Sequence, residues 1–312
     1  MNFTHRVSII GGGGNVGAAV AFALVVMQLP VEILLLGASE KSARAQALDI
    51  RDAAHFSTAH CRAGTSEEVG CSDIIVITAG ARQRPGEPRS NLIDRNYVIL
   101  DSIIKKIQPI KPTAIILMVT NPVDVLTSLA QKLSGLPKSQ VIGSGTFLDS
   151  GRLRNYLSRK LNVNSNSIHA SMLGEHGDTQ FVGWSVASIA GSPLLKHPLM
   201  ANVDLAEIEN AIAHQAYEII EAKGSTYFGV GYHVAALIKC ILTDGHKIYP
   251  VCNYNAKYDT YLSVPAILGS DGATPINLNL SDEEEVKLER CAESVNHSLG
   301  QVNEFAVHVN EE

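Results

Sequence analysis

The chain has 312 residues, with 25 Lys plus Arg against 31 Asp plus Glu and a formal net charge of −6. Hydrophobic residues make up 46% and charged residues 18%, which excludes a disordered or collagen-like chain and a broadly basic, nucleic-acid-binding surface. A chain of this length supports roughly two domains, each with core enough to fold.

The first apolar run, residues 7–10, reads as a strand, and a helical pattern follows over 16–27. No charge occurs between Arg6 and Glu32, but Gly11 to Gly14, Asn15, Gln28 and Pro30 break this stretch into strand, turn and helix. It is therefore neither a membrane span nor a signal peptide. Further strands are expected at 33–36, 74–78, 114–119 and 141–142, with helices at 42–54, 92–107 and 123–133 between them. Near-continuous apolar strands separated by helices indicate a parallel sheet buried on both faces. Right-handed crossovers make residues 1–143 a doubly wound α/β domain.

Beyond residue 143 the pattern changes. A helix at 147–161 leads into strand-like segments at 168–173 and 184–189, then helices at 205–223 and 231–244. Strand-rich sequence spans 248–268, and a helix starts near Asp282, its first turn Asp282–Glu285 reading as solvated carboxylates. Residues 144–312 are expected to form an α+β domain. Cys61, Cys71, Cys240, Cys252 and Cys291 are scattered and odd in number, so neither a disulfide framework nor a metal site is expected, and a reducing cytoplasm is the simplest setting.

Residues 7–10 run directly into Gly11-Gly12-Gly13-Gly14-Asn15-Val16-Gly17. Gly12, Gly14 and Gly17 fit G-x-G-x-x-G; the glycines allow a tight turn, and the following helix offers free N–H groups to a pyrophosphate. The acid that binds the adenosine ribose is expected about 20 residues on. Gly37 stands there instead, followed by Ser39, Lys41 and Ser42. Without that carboxylate a 2′-phosphate is not repelled, so NADP is expected to serve as well as or better than NAD. The alternative is an ordinary helix start capped by Ser39.

Gly174-Glu175-His176-Gly177-Asp178 places one histidine between glycines after an apolar run. With Leu148-Asp149-Ser150-Gly151-Arg152, Asn121-Pro122-Val123-Asp124 and Gln83-Arg84-Pro85-Gly86-Glu87-Pro88-Arg89, the chain resembles the L-lactate/malate dehydrogenase family over essentially its whole length. The resemblance implies a Rossmann domain followed by a substrate domain, and a homotetramer or dimer. It implies that His176 is the acid/base at the keto oxygen and Asp149 its partner. Arg152 would bind the substrate carboxylate in a two-pronged contact, and Arg89 would polarise the carbonyl from a closing loop. Asn121 and Thr226 would lie at the substrate. Asn121 and Val230 would lie at the nicotinamide, with Thr78, Ala79, Gly80, Asn96 and Val119 also at the cofactor, beside Gly12, Gly14, Asn15, Val16, Gly17, Gly37, Ser39, Lys41 and Ser42.

The family separates its substrates largely at the position held here by Gln83, where an arginine would pair with the second carboxylate of oxaloacetate. A neutral amide favours pyruvate and L-lactate. Malate or a branched 2-hydroxy acid remain alternatives, because Arg82 and Arg84 flank Gln83; a catalytically idle relative that binds without turnover is a further one. Relatives that respond to fructose 1,6-bisphosphate carry an arginine and a histidine where Arg154 and His169 stand. These two are either an effector site shared between subunits or a helix-surface charge and a strand residue.

Overall fold

The computed structural model describes residues 3–81, 89–201 and 203–311, apart from the side chains of 89, 90, 213 and 303–311. Gln83, Arg84 and Pro88 lie outside the described residues, as does the side chain of Arg89.

In chain order the first half contains β1 (His5–Ile10), α1 (Asn15–Val26), β2 (Val31–Leu36), α2 (Glu40–Ala53), β3 (His60–Ala63) and α3 (Ser66–Gly70). It continues with β4 (Ile74–Ile77), α4 (Arg89–Ile107), β5 (Ile115–Met118), α5 (Val123–Ser134) and β6 (Val141–Gly143). The second half contains α6 (Phe147–Leu161), β7 (Ile168–His169), β8 (Met172–Leu173), β9 (Phe181–Val182), β10 (Ser188–Ile189) and β11 (Ser192–Pro193). It ends with α7 (Leu205–Lys223), α8 (Phe228–Leu242), β12 (Lys247–Asn255), β13 (Thr260–Gly269), β14 (Gly272–Pro275) and α9 (Asp282–Glu311).

The parallel strands lie in the order β3-β2-β1-β4-β5-β6. The chain reverses its direction of progress between β1 and β4, which opens a crevice at the C-terminal ends of those strands. Side chains alternate between the two faces. Val7, Ile9, Ile74, Val76, Ile115 and Leu117 pack towards α1, α2 and α8. Ile75, Ile77, Ile116 and Met118 pack towards α4, α5 and α9. Each such side chain stabilises the fold by roughly 1.5–3 kcal/mol on burial, which is why these strands read as unbroken apolar runs.

The structure adds to or corrects the sequence reading at five places. The strand-rich C-terminal segment joins the parallel sheet of the first half: β12 pairs antiparallel with β6, with Cys252 opposite Gly143, and β13 and β14 extend the same sheet to nine strands. β3 and α3 were not expected. β3 is a short edge strand, and Arg62 on it pairs with Glu32 at 2.7 Å and Glu68 at 2.6 Å, so no apolar run announces it. The strand expected over 168–173 divides between two small sheets, with β7 pairing β10 and β8 pairing β9. The one expected from Trp184 begins as a 3-10 turn, Trp184–Val186, whose indole donates to Glu209 at 2.8 Å. Finally, the acidic first turn of α9 is not wholly solvated. Glu284 is buried and accepts the Ser185 N–H at 3.0 Å and the Ser185 hydroxyl. No helix among the described residues is long and apolar enough to cross a membrane.

Candidate active site

The glycine turn is built at the C-terminal end of β1. Gly11 has φ of +92°, and the amides of Gly11 and Gly12 donate to the Leu36 carbonyl at 2.8 and 2.7 Å. Gly14 caps α1. A Cβ on Gly17 would lie 2.6 Å from the Gly11 carbonyl oxygen, so the helix reaches the turn this closely only with glycine there. α1 has no side-chain cap and no acid in its first turn, which leaves the amides of Asn15, Val16 and Gly17 for an anion.

Thr78 lies against this turn: a Cβ on Gly11 would meet its hydroxyl at 2.5 Å and the Ala79 nitrogen at 2.6 Å. Gly80 sits against Thr120 and Asn96. Asn96 accepts from the Ala81 N–H at 2.7 Å and donates to the Asn121 carbonyl at 2.8 Å, bracing the loops after β4 and β5. Beyond β2, Gly37 stands where the ribose-binding acid was expected. The Ser39 hydroxyl caps α2 by accepting from the Ser42 N–H at 3.4 Å, and the Ser42 hydroxyl donates to the Ser39 carbonyl at 2.8 Å, while Lys41 is exposed. Ser39 is thus the N-cap of α2, and Ser42 packs back onto it.

The chemical centre lies where α6 meets the loop after β8. Asp149, in the first turn of α6 and 3% exposed, lies with Oδ2 2.8 Å from Nδ1 of His176. Its other oxygen accepts from Nη1 of Arg152, one turn along, at 2.9 Å. An ionised carboxylate only accepts, so Nδ1 of His176 carries a proton and Nε2 is the titrating atom. Burial opposes the imidazolium, but the charge and hydrogen bond of Asp149, with Asp124 behind, outweigh it and hold the His176 pKa above the ordinary imidazole value. Burial likewise opposes charge on Asp149, yet His176 and Arg152 hold its pKa below the ordinary carboxylate value.

Asp124, named in the sequence only as part of a motif, has a role that sequence reading missed. It is buried at the N-terminus of α5 and accepts the backbone N–H of His176 at 2.7 Å, while the Ser263 hydroxyl donates to it at 3.4 Å. Burial pushes its pKa up, and the neighbouring His176 charge works against that rise.

His176 and Arg152 share a cleft of about 150 Å³ with Asn121, Thr226, Val119 and Val230. The cleft therefore gathers six residues singled out between positions 119 and 230 of the chain, and the glycine turn stands at the same end of the sheet. His233 on α8 also lines it and was not anticipated, because a single histidine on an apolar helix carries no motif. Arg154 and His169 lie apart from the cleft: Arg154 donates through Nε to the Ala170 carbonyl at 2.8 Å, next to the exposed His169 on β7.

Comparison with known proteins identifies the family over nearly the whole chain. The family model described as lactate/malate dehydrogenase, NAD binding domain, matches residues 5–143, and that of the lactate/malate dehydrogenase alpha/beta C-terminal domain matches residues 146–306. The chain is 47% identical over 308 residues to L-lactate dehydrogenase A of Rhizopus oryzae, covering 97% of this chain and 96% of that protein. It is 39% identical to L-lactate dehydrogenase of Limosilactobacillus reuteri, covering 95% and 94%. Among solved structures, a lactate dehydrogenase from a Medee basin deep-sea metagenome library superposes with a TM-score of 0.91 at 32% identity, covering 97% of this chain and 100% of that one. The ligand-bound minor L-lactate dehydrogenase of Enterococcus mundtii gives 0.91 at 30% identity, covering 96% and 99%.

Proposed function

Since the chain belongs to the lactate/malate dehydrogenase family, we propose that it is an L-lactate dehydrogenase, reducing pyruvate to L-lactate and running in reverse. The observation that carries the mechanism is the shared carboxylate of Asp149, which holds an imidazole and a guanidinium on one cleft.

Reduction of a 2-oxo acid requires a hydride at C2, a proton at the keto oxygen and a fixed carboxylate. NAD(H), when bound, supplies or accepts the hydride. The glycine turn and the unpaired amides of α1 suit its pyrophosphate, because the missing Cβ on Gly17 lets the N-terminus of the helix close directly onto the turn. Arg152 uses Nη1 on Asp149 and has further N–H groups for the substrate carboxylate. His176 gives the Nε2 proton to the keto oxygen and takes it back in lactate oxidation. Asp149 stabilises the imidazolium before transfer and fixes the tautomer afterwards. Arg89, at the start of α4, is assigned to the carbonyl, and Gln83 to the discrimination of pyruvate from oxaloacetate. Residues 1–143 form the dinucleotide-binding domain and 144–312 the substrate domain, with Gln83, Arg89 and Asn121 reaching the substrate from the first and Val230 reaching the nicotinamide from the second.

Finer readings belong to the same proposal. NADPH serves as well as or better than NADH, because Gly37 offers no charge against a 2′-phosphate. Arg154 and His169 take fructose 1,6-bisphosphate between paired subunits of a homo-oligomer, a tetramer or a dimer, in the cytoplasm. One assay tests them together. Oxidation of NADH and of NADPH is followed by absorbance with pyruvate, oxaloacetate and 2-oxoisocaproate, each with and without the sugar bisphosphate. Pyruvate is expected to give the highest kcat/KM; a higher value for oxaloacetate overturns the substrate assignment. Strong preference for NADH overturns the cofactor reading, and an unchanged pyruvate KM and oligomer size overturns the effector reading.

A further inference from the structure

His233 stands on α8, facing the turn of α6 that carries Gly151 and Arg152. Its Nδ1 lies 2.9 Å from the Gly229 carbonyl oxygen on its own helix. A carbonyl only accepts, so Nδ1 carries the proton and the ring is locked in one orientation. Nε2 then occupies the volume that a side chain on Gly151 would take, since a Cβ there would lie 2.5 Å from it. The ring packs edge-on against Phe147, 4.9 Å between centroids, and Phe147 packs on Tyr249 at 4.5 Å. Phe147 and Gly151 are one turn apart on α6, so the imidazole rests in a notch with one aromatic wall and one open wall. The same ring lines the cleft shared by Arg152 and His176.

We infer that His233 is a positioning residue for Arg152: its imidazole fills the notch left by Gly151 and sets the spacing of α6 and α8 at which the guanidinium meets the substrate carboxylate. Burial, with Arg152 and Arg154 nearby, holds the His233 pKa below the ordinary value against the pull of the Gly229 carbonyl and of Asp149, so the ring supports Arg152 without adding charge near neutral pH. A larger side chain at Gly151 forces ring and helix apart, and a smaller one at His233 leaves the notch empty. Both changes move the carboxylate anchor, and neither touches the proton on His176.

This inference rests on the reading of Arg152 as the anchor for the substrate carboxylate. The test is steady-state pyruvate reduction at saturating NADH with the full-length enzyme and four variants: Gly151→Ala, His233→Ser, the double variant and Arg152→Lys. Each single notch variant is expected to raise the pyruvate KM by about fivefold or more, with kcat within about twofold. In the double variant the alanine methyl takes up volume that the ring vacates, and KM returns to within about twofold of the unaltered enzyme. A double variant no better than the worse single one overturns the inference. So do single variants that leave KM unmoved or lower kcat as much as they raise KM. If Arg152→Lys raises KM while the notch variants do not, the anchor reading stands and only the role of His233 falls. If Arg152→Lys leaves KM unchanged, both fall together.

Discussion

Nδ1 of His176 and Oδ2 of Asp149 stand 2.8 Å apart, and the second oxygen of the same carboxylate holds Arg152. One buried charge thus positions both the imidazole proposed as proton donor and the guanidinium proposed as the substrate's counter-ion. This links the rate of proton transfer to the geometry of binding.

The pairing sets a pH dependence. His176 has its pKa raised above the ordinary imidazole value, so it is protonated below that raised value and neutral above it. Pyruvate reduction needs the imidazolium and falls as pH rises through that value, while lactate oxidation rises over the same interval. Asp149→Asn removes the charge that favours the imidazolium. The inflection in kcat/KM against pH is expected to move to lower pH, and kcat for reduction to drop by about 100-fold. An unmoved inflection would show that Asp149 does not set the acid.

Asp124 supports the histidine from behind, through the backbone N–H of His176. Asp124→Leu leaves that buried donor without an acceptor and is expected to cost about 1–3 kcal/mol in chemical denaturation. Asp124→Asn still presents an oxygen to the amide and is expected to cost less. Equal losses for the two would mean that volume, not the hydrogen bond, is what matters there.

Gly17→Ala puts a methyl group 2.6 Å from the Gly11 carbonyl oxygen and 2.8 Å from the Gly12 Cα. Relief requires α1 to move away from the turn, at about 1–3 kcal/mol in thermal or denaturant unfolding. NADH binding, followed by fluorescence titration, is expected to weaken by about tenfold, because the amides of the first turn move with the helix.

Gly37→Asp supplies the carboxylate that the end of β2 lacks. The variant is expected to lose NADPH efficiency relative to NADH by about tenfold or more, since a fixed carboxylate repels a 2′-phosphate. Equal loss with both cofactors would instead indicate a distorted turn, as the new Cβ lies 3.1 Å from both the Ser39 carbonyl and the Ser42 hydroxyl.

Much of this was legible in the chain itself. The β-strands of the first half other than β3, and the glycine turn, announce themselves through local apolar periodicity and a short motif, and the segments around Asn121, Asp149, Arg152 and His176 through their resemblance to the L-lactate/malate dehydrogenase family. A parallel sheet buried on both faces demands long apolar runs, and a pyrophosphate cradle demands glycine at fixed offsets, so the constraints lie within a few consecutive residues. The tertiary structure alone decided the rest. That β12 closes onto β6, that Asp124 reaches the His176 amide 52 positions away, and that His233 fills the space beside Gly151 all depend on contacts between distant segments. No pattern along the chain encodes such contacts, because each residue has an ordinary local role, in strand, cap or helix, that conceals its partner. Only the packed geometry determines which of these ordinary residues stand within a hydrogen bond, or a single methyl group, of the chemistry.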